Sequence, residues 1–149
     1  VTTQHYQIGC QAGLGTTNGQ PGQGFVVLGP DGTKYFMTHL SYAMYGTYRE
    51  ADPMDYRIIA RVGRVIARMK ASRVEDRFGN YITYTYTGDK LTEVLSYSDA
   101  AKTTLVERRV LNYTGNTLTT IQFYDGAGSL TKTRTLTYAL GVMSGYTDA

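Results

Sequence analysis

Between Tyr81 and Tyr86 the chain alternates with a period of two, Ile82, Tyr84 and Tyr86 on one side and Tyr81, Thr83 and Thr85 on the other. Alternation of aromatic and β-branched residues predicts a half-buried strand. Thr87-Gly88-Asp89-Lys90 supplies the reversal after it: Gly88 can take a positive φ without a Cβ clash, and Asp89 can bond the local backbone. Leu91 and Val94 then stand three apart, which strict alternation would place on opposite faces. A bulge, or a strand wedged between two apolar layers, is therefore expected in the returning strand. Upstream, Arg77-Phe78-Gly79-Asn80 is a second turn, so Arg73 to Tyr97 reads as three antiparallel strands.

The pattern returns. YTGDKLTEVLSY starting at Tyr86 is answered by YTGNTLTTIQFY starting at Tyr113, 27 residues on (86 to 113). Tyr, Thr, Gly, Leu, Thr and the closing tyrosines, Tyr97 and Tyr124, coincide. A repeat at such a period means that each short hairpin needs its neighbour to cover its apolar side. The repeat positions Tyr84, Tyr86, Gly88, Leu91, Tyr113, Gly115 and Leu118 are accordingly expected to hold an array together.

Elsewhere the chain is punctuated in the same style. Phe25 to Leu28 and Lys34 to Thr38 are strands joined through Gly29-Pro30-Asp31-Gly32. His39 to Tyr48 is compatible with another strand, and Arg49 to Asp55 reads as a polar connector. A short strand is expected at Gln4 to Ile8, then a Gly-, Asn- and Gln-rich loop from Gly13 to Gly24. Asp99 to Lys102 is a turn, with a strand from Thr104 to Tyr113. From Leu130 to Tyr138, Thr131, Thr133, Thr135 and Thr137 take one face, a hydroxyl row that suits cross-strand pairing and solvent exposure, with sugar or ice binding as the sharper alternatives. Gly141 to Ala149 is expected to fray. The divisions are thus 1–24 irregular, 25–70 upstream hairpins, 71–140 repeats and 141–149 tail, in one all-β segment of antiparallel hairpins stacked into a curved sheet.

Taken together, Glu75-Asp76-Arg77-Phe78-Gly79-Asn80, the following Ile-Thr-Tyr-x-Tyr, and Tyr124-Asp125-Gly126-Ala127-Gly128-Ser129-Leu130 resemble the tyrosine-aspartate (YD) repeats of Rhs proteins. These bacterial polymorphic toxins are similar to the B and C components of ABC toxin complexes. Gly22 to Tyr35 resembles the hairpin that precedes such repeats. The resemblance implies that Asp76, Gly79, Asn80, Tyr124, Asp125 and Gly128 are structural motif positions. It further implies a secreted or cell-surface wall segment whose partners are the remaining Rhs shell and an enclosed C-terminal toxin domain. An Asp-Pro self-cleavage motif is not matched by Asp52-Pro53-Met54-Asp55, which reads as a loop.

Tyr56 to Arg77 fits two templates. Ile58, Ile59, Val62, Val65, Ile66 and Met69 share a helical face opposite Arg57, Arg61, Arg64 and Arg68. The β-branched residues, Gly63 at the centre and the strand in the corresponding Rhs segment favour two strands turning near Gly63.

Composition bears on partners and chemistry. Fourteen Tyr and 17 Gly with no Trp and 3 Pro suit a turn-rich β protein, and a net charge of +3 does not call for nucleic acid. There is no apolar run of membrane-spanning length and no leader, and a chain beginning at Val1 is expected to be a processed or partial product. Cys10 is alone, which leaves burial or an intermolecular bond. His5 and His39 have no metal spacing, and no nucleophile elbow or P-loop is present. No enzyme, cofactor or metal is expected. The alternatives to a wall segment are a carbohydrate-binding adhesive module and self-association through open sheet edges.

Overall fold

A computed structural model of the chain describes residues 5–16, 22–51, 58–99, 101 and 103–149. Within them lie ten strands, β1 (Gln7–Gly15), β2 (Gln23–Leu28), β3 (Lys34–Ala51), β4 (Ile58–Glu75), β5 (Tyr81–Thr87), β6 (Lys90–Tyr97), β7 (Leu105–Thr114), β8 (Thr117–Asp125), β9 (Leu130–Ala139) and β10 (Val142–Asp148). They form one sheet in chain order, every neighbouring pair antiparallel. The expected all-β stack of hairpins is what the chain adopts. The sheet is open and uncurled, so the curvature expected of the stack does not bring its edges, β1 and β10, together.

One layer of sheet buries little. A compact monomer of this mass would expose about 7,600 Å², whereas this 16.5 kDa chain exposes 10105 Å². Among the described apolar residues only Leu40, Tyr81 and Val94 are buried. The main-chain ladder and the contacts between adjacent hairpins therefore carry the fold.

The bulge expected near Leu91 exists, and it recurs. Thr85 faces Glu93 but Tyr86 faces Leu91, leaving Thr92 as the extra residue. Asn112 faces Thr120 and Tyr113 faces Leu118 around Thr119. Thr137 faces Gly145 and Tyr138 faces Met143 around Ser144. The extra threonine bonds across the hairpin, Thr92 to the Thr85 carbonyl at 3.2 Å and Thr119 to the Asn112 carbonyl at 3.1 Å. By absorbing one residue, the bulge puts Leu91 with Val94, Leu118 with Ile121 and Met143 with Tyr146 on the same face, although each pair is three apart.

Four expectations need correction. The stretch 58–75 is neither a helix nor two strands turning near Gly63: it is the single strand β4, paired with β3 from Lys34↔Glu75 to Ala51↔Ile58. The irregularity lies across from Gly63, on β3, where Tyr45 and Gly46 together oppose Arg64, and Gly46 takes φ +99° while Gly63 stays out of the left-handed region. Residues 58–72 of β4 pair with β3 alone, and only Arg73 to Glu75 also pair with β5. The irregular region 1–24 contains β1, which extends to Gly15 because Gln7 to Cys10 pair with Phe25 to Leu28; residues 1–4 and 17–21 of it lie outside the described residues. The fraying tail is strand β10, held by an Ala139-Leu140-Gly141-Val142 turn with φ +51° at Leu140 and +79° at Gly141. Arg49 to Ala51 of the polar connector belong to β3, and Asp52 to Asp55 lie outside the described residues.

The bulge assigns opposite roles to two glycines. Gly46→Ala puts a Cβ on a left-handed residue and should destabilise by about 1 kcal/mol. Gly63→Ala meets only the mobile Met44 Cε, at 3.2 Å, and should be neutral or slightly stabilising. Urea unfolding of both variants checks this; the reverse order would return the turn to Gly63.

Candidate functional site

The tight turns stand at one end of the sheet. In two of them a glycine leads with a positive φ, +58° at Gly88 and +57° at Gly115, so Asp89 and Asn116 follow on ordinary backbone. The tyrosine just before each turn points back to the preceding hairpin. Tyr86 donates its hydroxyl to the Ala71 carbonyl at 2.9 Å, Tyr113 to Leu91 at 2.9 Å, and Tyr138 to Leu118 at 2.6 Å. Burial pushes the Tyr86 and Tyr113 hydroxyls above their ordinary range, which keeps them protonated as donors.

A lysine from the preceding hairpin reinforces each of the first two turns. Lys70 reaches the Asp89 carbonyl at 2.7 Å and its carboxylate at 2.8 Å, with the ammonium 5.3 Å from the Tyr86 ring centre. Lys90 reaches the Gly115 carbonyl and lies 5.6 Å from the Tyr113 ring centre. The hydrogen bond from Lys70 is the main reason that the Asp89 carboxyl is held below its usual range. His39 is buried, stacked on Tyr86 at 4.3 Å and bonded through Nε2 to the Gly88 carbonyl at 2.8 Å. It anchors a turn.

The opposite end carries five-residue loops. Asp76 accepts from the Phe78 and Asn80 amides at 2.8 and 2.9 Å, and Asp125 from Ala127 and Ser129 at 3.0 and 2.8 Å. Gly79 and Gly128 make the left-handed step, φ +91° and +86°. Asp99 closes the longer β6–β7 loop through the Thr103 and Thr104 amides, and these bonds hold its carboxyl down to about 2. Asp76, Asp125 and Asp99 thus each close a loop by accepting from its amides.

Between the two ends the sheet has unlike faces. Ile82, Tyr84, Leu91, Val94, Ile121 and Phe123 line a trough of about 570 Å³, with Arg109, Lys132 and Arg134 on its border. Arg109 pairs with Glu107 at 2.6 Å, and Arg134 with Asp148 at 2.8 Å. The other face carries buried Tyr81 stacked on Tyr97 at 4.9 Å, with Leu95 and Val110, and beside them a cross-strand row in which Thr120 faces Thr135 and Thr135 faces Thr147.

Of the residues singled out in the sequence, Tyr84, Tyr86, Leu91, Tyr113 and Leu118 share the apolar face, with Gly88 and Gly115 at its tight-turn end. Asp76, Gly79, Asn80, Asp125 and Gly128 lie at the far end. Tyr124 is on the polar face under Arg108, 5.4 Å from its guanidinium carbon. Tyr138, Lys70 and Lys90 were missed; the third tyrosine was concealed by a turn reading Ala-Leu-Gly where its counterparts read Thr-Gly-Asp and Thr-Gly-Asn. Cys10 is exposed, which removes burial as its explanation. Among the described residues no cluster of three or more His, Cys, Asp or Glu could hold a metal ion, and no helix is long and apolar enough to cross a membrane.

The arrangement offers apolar surface and repeated main-chain clamps. Tyr113→Phe should cost about 1 kcal/mol for the lost hydroxyl bond in denaturant unfolding, and an unchanged midpoint would remove the clamp from the account. Asp99 and Asp148 are both held down to about 2 from an ordinary 3.8. Because the folded values are depressed, their stabilisation is present above about 4 and is lost as pH falls toward 2. Melting temperature should therefore hold steady down to about pH 4 and fall below it, and Asp99→Asn should melt lower at neutral pH and lose less on acidification.

No family model matches the chain, and no curated protein matches it.

Proposed function

We propose that this chain is wall material: a segment of a β shell of the Rhs or YD-repeat kind, whose apolar face lines an interior that encloses a C-terminal effector polypeptide. The observation that carries this reading is the uncovered apolar face of a single-layer sheet built from hairpins that clamp one another in series. A protein that stored its stability in a closed core would not leave Leu91, Ile121 and Phe123 bordering an open trough. Stacked hairpins extend a sheet without limit, and every new unit adds the same inner surface. On this reading the chain performs no chemistry, and Tyr86, Tyr113 and Tyr138 serve cohesion.

A second reading, an adhesive module that binds carbohydrate, is favoured by the Thr120, Thr135 and Thr147 row on the polar face, with Asn112 and Gln122 bonded to each other beside it at 3.2 Å. Hydroxyls and amides at fixed spacing can meet sugar hydroxyls.

Limited proteolysis of the natural gene product separates the two. A wall segment predicts a polypeptide with many more repeats, resistant as one body, whose C-terminal part becomes cleavable only when the wall is opened by denaturant. A product consisting of little more than these ten strands, saturably retained on immobilised glycan and weakened by Thr135→Val, would overturn the wall reading in favour of adhesion.

A further inference from the structure

One part of the sheet stands clear of the rest. β3 pairs with β2 only over Lys34–Met37, and β4 with β5 only over Arg73–Glu75, yet β3 and β4 stay paired from Lys34↔Glu75 to Ala51↔Ile58. The base of this ribbon is held, because the Ala71 carbonyl accepts from Tyr86, His39 bonds the Gly88 carbonyl and Lys70 reaches Asp89. Beyond the base, among the described residues, neither strand has a second ladder neighbour. A two-stranded ribbon on its own is marginal in water.

Register sorts the side chains of this arm. Leu40↔Met69, Tyr42↔Ala67 and Met44↔Val65 share one face, and His39↔Lys70, Ser41↔Arg68 and Ala43↔Ile66 share the other. Arg64 belongs with the second set, its guanidinium carbon 5.2 Å from the centre of the Tyr45 ring. Leu40 is buried over Gly22, but farther out the first face is bare: Tyr42 is 51% exposed, Val65 54% and Met44 71%. Residues 38–47 and 62–70 carry Arg64, Arg68 and Lys70 and no acid. Asp89 lies 2.8 Å from Lys70 and 3.8 Å from Arg68, which leaves two net positive charges (three minus one). Residues 48–61 add three arginines and three acids by sequence and leave that balance unchanged.

We infer that the β3–β4 arm is a contact for an anionic lipid surface, with Tyr42, Met44 and Val65 sunk where headgroups meet acyl chains and Arg64 and Arg68 among the phosphates. The two unlike faces select that occupant. A nucleic acid backbone would engage the arginines and leave Tyr42, Met44 and Val65 in water, whereas a bilayer interface takes apolar and cationic groups in adjacent layers. Tyrosine, apolar in its ring and polar at its tip, suits the boundary between them. The unpaired main-chain groups along both edges of a lone ribbon bar it from the hydrocarbon, so the arm lies in the interface and does not span it. The inference rests on the arm alone, and its failure would leave the wall reading untouched.

The test sediments the full chain with vesicles of phosphatidylcholine, with and without phosphatidylserine. Binding to the mixed vesicles is expected, weakened by added salt, with little on phosphatidylcholine alone. Arg64→Ser with Arg68→Ser should weaken it about thirtyfold, at roughly fivefold for each charge. Met44→Gln with Val65→Thr should weaken it about tenfold. Arg77→Ser, which removes an exposed cation from the other end of β4, should bind as the parent chain does. The substituted side chains are all exposed, and unchanged β circular dichroism checks that each variant folds. No binding, equal binding to both kinds of vesicle, full binding by the Met44→Gln, Val65→Thr variant, or a loss in Arg77→Ser as large as that from one arm arginine would overturn the proposal. Retention of the chain on duplex DNA without sedimentation on vesicles would also overturn it, by assigning the arm to nucleic acid.

Discussion

A phenolic hydroxyl that crosses from one hairpin to a main-chain carbonyl of the hairpin before it is the contact on which the array depends. Ladder bonds alone would join any strand to any other, at any register. The Tyr86, Tyr113 and Tyr138 hydroxyls each choose one carbonyl, and so fix how far each hairpin slides along the last. The ring beneath each hydroxyl fills the apolar face, so one residue type serves register and packing together. Three of the chain's 14 tyrosines are used in this way.

The bulge is the necessary complement. A tyrosine facing its partner leucine directly, with an apolar residue three places on, would turn half of the hydrophobic side chains toward water if the strand were regular. One extra residue at Thr92, Thr119 and Ser144 restores them to a single face. The sheet thereby acquires an apolar side without acquiring a second layer to cover it, and the functional reading follows from that mismatch. The charges at the trough, Arg109 with Glu107 and Arg134 with Asp148, are paired within the sheet, leaving the aliphatic and aromatic surface as what the face has to offer.

Much of this was legible in the residues. Alternation gave β5 and β9, Gly-Pro-Asp-Gly gave the β2–β3 turn, and the spacing of Leu91 and Val94 pointed to a bulge or to a strand between two apolar layers, of which the bulge is present. What failed did so for identifiable reasons. Gly63 drew attention as the only glycine in its segment, but backbone freedom was needed across the ladder at Gly46, and pairing partners cannot be read from one strand. Gly141 to Ala149 looked like a tail because small and polar residues carry no burial signal, yet a strand paired along one edge needs mainly its backbone. The clamps of Lys70 and Lys90 depend on neighbours 19 and 25 positions away and leave no local pattern.

If cohesion is passed from hairpin to hairpin, the chain should not open all at once. Native-state hydrogen exchange in increasing sub-denaturing urea measures this strand by strand. The account predicts graded opening energies, highest for the amides of β5 to β8 and lower toward β1 and β10, as nearest-neighbour stacking requires. A single opening energy shared by all ten strands would contradict it, because that is the behaviour of a closed domain with one common core.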